Sequence, residues 1–250
     1  MTGEITSARS EGALAPTMRG QWADLLAFLR HPYLPERLLP PGQSARLVAR
    51  LFALDLVAIA GFAVLALTAV GLGLELPENY NATLGLGAQT IVLLVIVAPV
   101  LEEIVFRGWL SGRPGTILAL FWAGAGLAGL ALFGAGAGPA GPIAALIGLV
   151  LAAAMLVALR GRPPLPAFER HFAWFFWASA ILFAAVHLAN FEEGALAILL
   201  PLLVPQFVLG TLAGHVRVRC GLVWSMLLHA AHNGFAVGIA LVALSLEPAG

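Results

Sequence analysis

The sequence predicts an all-α polytopic membrane helical bundle of about seven transmembrane helices, with its N-terminus in the cytoplasm. Three observations carry that prediction. First, 60% of the 250 residues are hydrophobic and 10% are charged, whereas a soluble domain carries about 25% charged residues. Second, seven apolar segments each approach the ~20 residues that span a bilayer; they lie at roughly 47–73, 86–110, 115–135, 141–159, 173–190, 195–215 and 220–244. Third, all thirteen basic residues are arginine, and every one falls on the same side of the alternation these segments create.

The chain divides into a cytoplasmic N-terminal segment, 1–45, and a transmembrane domain, 46–250. Residues 1–19 are polar and read as disordered. Over 20–30, Trp22, Leu25, Leu26 and Leu29 recur at helical spacing. They predict a short helix at the membrane surface, an ordinary cytosolic lead-in being the alternative. Pro32, Pro35, Pro40 and Pro41 forbid its continuation. Nothing in 1–45 is an uninterrupted apolar stretch, so no cleavable signal peptide is expected and the first span does the targeting. The sixth span carries Pro201 and Pro205, which predict a kink.

The arginines orient the bundle. Arg9, Arg19, Arg30, Arg37, Arg46 and Arg50 precede or start the first span. Arg107 and Arg113 fall between spans two and three, Arg160, Arg162 and Arg170 between four and five, and Arg217 and Arg219 between six and seven. The other connections hold only Glu75, Glu78, Glu192 and Glu193, or no charge. By the positive-inside rule the arginine end is cytoplasmic and the C-terminus lies outside.

Some features exclude functions. The formal net charge is zero, so bulk charge points to no nucleic-acid partner. The single cysteine, Cys220, permits no intrachain disulfide. The third span contains Gly124-Ala125-Gly126-Leu127-Ala128-Gly129, which fits G-x-G-x-x-G, but no strand precedes it and no acidic residue follows about 20 positions later. These small residues instead let helices approach closely in lipid. The low-complexity connection 134–141 reads as flexible.

Few polar side chains remain inside the spans: Asp55, Glu102, Glu103, Arg107, His187, His229, His232 and Asn233, with Gln89, Gln206 and His215 nearer the ends. A charge at the bilayer centre costs about 2.5–3.5 kcal/mol even on the lenient insertion scale, so Glu102-Glu103-Ile104-Val105-Phe106-Arg107 needs a reason. Glu103 and Arg107 are i,i+4 neighbours in the favourable order and are expected to form a structural pair. Glu102 points ~100° away from Glu103 and is left without a local cation, which suits it to accept a proton. His229 and Asn233 share a face of the last span, and His187 lies on the fifth. His232, about 60° from His229, reads as supporting or packing. A carboxylate, two imidazoles and an amide suffice for hydrolysis. Glu102, His187 and His229 could hold Zn²⁺ with an open position for water. Without metal, Glu102 could activate water while His or Asn stabilises the oxyanion. Counted from the arginine end, Glu102 and His229 lie about 15 Å deep and His187 roughly 20 Å, a mild mismatch.

H-E-x-x-H is absent, which excludes a zincin-type or site-2-type protease. The only aspartates are Asp24 and Asp55, and Asp24 lies outside the spans, which excludes a two-aspartate protease. Ser225 precedes His229 by four residues, but the Gly-x-Ser-Gly setting of rhomboid proteases is missing.

Glu-Glu-x-x-x-Arg at 102–107, Phe-x-x-x-His at 183–187 and His-x-x-x-Asn at 229–233, in that order, resemble the CPBP family of intramembrane proteases, which comprises CAAX prenyl proteases and bacteriocin-processing or self-immunity proteins and is also called ABI. Phe207 and Gly210 resemble a weaker family element. The resemblance is strongest over 86–245. It implies a helical membrane endopeptidase with its site in the bilayer, opening toward the cytosol and acting on a membrane-associated protein or peptide. Glu102 would activate water, His187 would assist, His229 and Asn233 would form the oxyanion site, and Glu103 and Arg107 would support them. Members are often labelled metalloproteases, and a metal-free glutamate mechanism is also argued; Zn²⁺ or no cofactor both fit. Size and composition suggest a bacterial cell membrane, where prenylated substrates are not expected. The rival readings are a small transporter or proton relay, which needs polar residues reaching both faces, and a non-catalytic immunity or scaffold protein.

Overall fold

The computed structural model describes residues 14–134 and 138–246. Of the two stretches read as disordered or flexible, 1–13 and 135–137 lie outside the described residues. A first helix, α1 (Met18–Arg30), is followed by seven helices long and apolar enough to cross a membrane: α2 (Pro41–Gly71), α3 (Ala88–Ser111), α4 (Pro114–Phe133), α5 (Ala140–Ala158), α6 (Phe172–Asn190), α7 (Leu196–Cys220) and α8 (Leu222–Leu246). They match the seven predicted spans, and no strand is present among the described residues. The protein is an integral membrane protein by this architecture.

Three helices are interrupted, each for a local reason. In α3 one π turn, Leu93–Val97, interrupts the α-helical ladder ahead of Pro99. α6 tightens into a 3-10 turn at His187–Asn190. α7 breaks between Leu202 and Val204, beside Pro201 and Pro205, where the kink was expected.

α7 is the central helix, packing on α2, α6 and α8, while α3 packs on α6 and α8. Its middle is mostly buried, with Leu209, Leu212 and Val216 meeting Leu47, Leu51, Phe183 and Leu228. α4 and α5 form a tight hairpin beside this group, and α4 touches the 108–111 turn that ends α3. The small residues of α4 do what the sequence suggested, at two of three positions. A Cβ at Gly126 would lie 2.9 Å from the Gly148 Cα, and one at Gly129 would lie 2.6 Å from the Ala144 Cβ, whereas one at Gly124 meets nothing within 4 Å. Gly148→Ala is therefore expected to push α4 from α5 and to cost about 1–3 kcal/mol, with Gly124→Ala neutral. Denaturant titration of the two purified variants measures this; equal stability would contradict the assigned contact.

The predicted helix over 20–30 is present as α1, and Gln21, Leu25 and Phe28 form a buried stripe against the bundle while Leu26 faces away. Phe28 rests on Phe176 and on the His215 ring, with centroids 5.2 and 4.6 Å apart. The Leu39 N–H donates to the Arg219 carbonyl at 2.8 Å, joining the lead-in to the end of α7.

Candidate active site

The charges predicted as costly meet in the middle of the bundle. The ~100° between successive helical residues turns Glu103 into the protein and Glu102 to one side. The Glu103 and Arg107 side chains have no exposed surface, and Arg107 Nη1 donates to Glu103 Oε1 at 2.9 Å. The expected i,i+4 pair is present, but it is not self-contained. His229 Nδ1 lies 3.0 Å from the same Oε1, and the Ser225 hydroxyl donates to Oε2. The guanidinium carbon of Arg107 lies 3.8 Å from the centroid of the Phe183 ring, so its charge also rests on an aromatic face. Gly210 allows this approach, since a Cβ there would meet Phe183 at 3.1 Å and Arg107 Nη2 at 3.2 Å. Arg217 closes the arrangement from below, its Nε donating to the Arg107 carbonyl at 2.9 Å near the end of α3.

Both histidines of the predicted set are held through Nδ1. His187 Nδ1 lies 2.7 Å from the Phe183 carbonyl, which can only accept, so Nδ1 carries the hydrogen. That carbonyl is available because the His187 backbone N–H turns to Ala184 and Ala185 instead. His229 Nδ1 faces the Glu103 carboxylate in the same sense. Each neutral ring then presents Nε2 as an acceptor. The two Nε2 atoms lie 4.0 Å (His187) and 3.8 Å (His229) from one oxygen, Glu102 Oε2, which is buried without a hydrogen-bond partner. Glu102 keeps 29% of its side-chain surface exposed. Separations beyond 3.5 Å between such groups suit a bridging water rather than a direct bond. The depth mismatch expected for His187 does not keep it from Glu102, 4.0 Å away, and Ser179 Oγ, which donates to the Phe106 carbonyl at 2.7 Å, joins α6 to α3.

The zinc alternative can be tested on these side chains. Two ligands of one tetrahedral zinc at ~2.1 Å each lie about 3.4 Å apart. The Glu102–His187 and Glu102–His229 separations are longer, and among the described residues no three His, Cys, Asp or Glu side chains are arranged to hold a metal ion. As placed, the set does not fit zinc, and the chemistry below is derived through water.

Asn233 lines the same cavity, with its Nδ2 donating to the Leu94 carbonyl at 2.8 Å. Leu94 lies in the π turn of α3, where the longer i→i+5 spacing perturbs the regular backbone ladder. An amide NH₂ has two hydrogens, so one remains for a ligand. His232 is more than packing: its Nδ1 lies 2.7 Å from Oδ2 of Asp55, a buried carboxylate on α2.

A cavity of about 680 Å³ joins Glu102, His187, His229, His232 and Asn233. It extends past Ala236 and Val237 to Asn190 and to Asn79, Tyr80 and Asn81 in the connection before α3. The cavity runs toward the end of the bundle that carries no arginine, while the arginine end is filled by Arg107, Leu110, Phe176 and Phe183, all fully buried or nearly so. Three asparagines, Asn79, Asn81 and Asn190, continue the polar lining beyond His187.

Sequence reasoning missed the cross-helix partners: Glu103 for His229, Asp55 for His232, the Leu94 carbonyl for Asn233 and Arg217 for the end of α3. Only Asp55 left a signal, a lone carboxylate in an aliphatic span.

The pattern of the family described as Type II CAAX prenyl endopeptidase Rce1-like matches residues 85–235, more than half of the chain. The match takes in α3 through most of α8 and with them Glu102, Glu103, Arg107, His187, His229 and Asn233. No curated protein and no solved structure matches the chain.

Proposed function

Since this chain belongs to the type II CAAX prenyl endopeptidase Rce1-like family, we propose that it is an intramembrane endopeptidase that hydrolyses a peptide bond of a membrane-associated protein or peptide with water activated by Glu102. The observation that carries this reading is the unpartnered Glu102 Oε2 facing two imidazole acceptors on the wall of a cavity.

The steps follow from the side chains. The Glu102 carboxylate takes a proton from water, and the oxygen adds to the scissile carbonyl carbon. His187 Nε2 accepts the second water hydrogen and fixes the direction of attack. The free N–H of Asn233 serves the oxygen that becomes negative. The His229 ring stands beside the same atoms, and Glu103 at its Nδ1 holds the ring in the tautomer and orientation that turn Nε2 to Glu102, as a buried carboxylate does in a hydrolytic triad. When the C–N bond breaks, the amine leaves with the proton held by Glu102, giving a carboxylic acid and an amine. Leu84, Leu86, Leu93, Leu94 and Val237 give the cavity an apolar wall. Such a wall takes an isoprenoid, the group named in the family description, or apolar side chains.

The test uses the full chain in liposomes with two internally quenched peptides, one ending in a farnesylated CAAX sequence and one identical but unprenylated. Hydrolysis of either supports the proposal; hydrolysis of neither by folded protein overturns it. Ser225→Ala is expected to keep the rate within about tenfold, the effect of one lost hydrogen bond to Glu103. A loss as large as that of Glu102→Gln would restore the serine reading set aside above.

A further inference from the structure

Asp55 and His232 are not part of the three motifs, and Asp55 lies outside the stretch that the family pattern matches. A carboxylate buried at mid-membrane is costly and needs a purpose. A clasp between α2 and α8 is the plainest one, and the 2.7 Å contact provides it. A clasp does not require the imidazole to line the cavity, yet His232 does. With Nδ1 donating to Asp55, the neutral ring leaves Nε2 as an acceptor, and that atom has no partner among the described residues. His232 thus repeats the arrangement of His187 and His229, with one nitrogen anchored and the other free. It differs in position. It lies beyond 4 Å from Glu102, since its only close carboxylate among the described residues is Asp55. One step along α8 from His229, it stands about 4.5 Å further up the helix axis.

A second group behaves alike. Gln206 of α7 lines the cavity, and its side-chain oxygen has no hydrogen-bond partner. Two acceptors without donors, on residues that line the cavity holding the reacting groups, match a particular need. A peptide bond in a membrane helix is shielded by the helix, so the segment must unwind before water can attack. Unwinding frees backbone N–H groups, and each costs several kcal/mol in an apolar setting unless an acceptor meets it.

We propose that His232, oriented by Asp55, and Gln206 bind the freed backbone N–H groups of the unwound substrate segment next to the scissile bond. The proposal rests on the endopeptidase reading and adds the means by which the substrate is held open. Asp55 is a positioning residue that acts through the ring of His232.

The experiment separates binding from turnover. The full-length Glu102→Gln chain is placed in lipid nanodiscs, and its affinity for the unprenylated peptide of the assay above is measured by fluorescence anisotropy. Adding His232→Leu is expected to weaken binding about three- to tenfold, the worth of one hydrogen bond, and Gln206→Leu to do likewise. His232→Gln, which keeps an acceptor, should restore most of the affinity. Asp55→Leu should weaken binding as His232→Leu does. Melting temperatures taken on the same samples report the clasp. Unchanged affinity in His232→Leu and Gln206→Leu overturns the proposal, as does a loss that His232→Gln fails to restore. Failure of the wild-type chain to hydrolyse the peptide while these affinity changes appear would overturn the endopeptidase reading and leave the binding assignment standing. Absence of any binding by the Glu102→Gln chain overturns the assignment.

Discussion

Replacing Glu103 with leucine should destabilise the folded chain by about 3–5 kcal/mol, the range found when one partner of a buried ion pair is removed. Glu103 and Arg107 are both without exposed surface, so the lone guanidinium would have no water to turn to. The Phe183 face and the nearby Glu102 offset only part of that charge. The Glu103→Leu/Arg107→Leu double variant should recover most of the stability, because apolar side chains replace a buried pair at little cost. It should not recover activity. His229 loses the carboxylate at its Nδ1, and with it the fixed tautomer that leaves Nε2 facing Glu102. Thermal unfolding together with peptide hydrolysis distinguishes these effects. A double variant that is both stable and fully active would show that Glu103 serves only Arg107.

Glu102→Gln should lower the hydrolytic rate by about 10²–10⁴-fold, the usual contribution of a general base. Glutamine has the same size and still accepts a hydrogen bond, so the loss reports proton transfer alone. Folding should be unaffected, because Glu102 bears no ion pair like that of Glu103 and keeps part of its surface exposed. Steady-state rates at equal amounts of folded protein give the number. The contrast with Glu103 is the essential point: adjacent carboxylates on one helix, one expected to fail in chemistry and the other in stability as well.

That division was legible in the sequence to the extent that it depends on one helix. The ~100° turn between Glu102 and Glu103, and the i,i+4 spacing to Arg107, follow from helical geometry alone. The seven spans were legible for the same reason, since length and apolarity are local properties, and the kink of α7 followed from Pro201 and Pro205. What joins helices was not legible. His229 sits 126 residues from Glu103, His232 177 from Asp55 and Asn233 139 from Leu94, and no spacing rule reaches across such distances. The packing of α1 on the bundle was not legible either, because an apolar stripe looks the same whether lipid or protein covers it. The direction of the cavity within the bundle was not legible, because it depends on which end the large side chains fill, and Phe176 and Phe183 announce nothing about that in sequence.

Mass spectrometry of a liposome-embedded peptide tests the central claim most directly. Wild-type chain should yield two fragments whose masses sum to that of the peptide plus one water, with a new carboxylate on one fragment and a new amine on the other. The Glu102→Gln chain, equally folded in the same liposomes, should leave the peptide intact over the same time. Equal fragment yields from the two chains would contradict the assignment of Glu102 as the group that activates water.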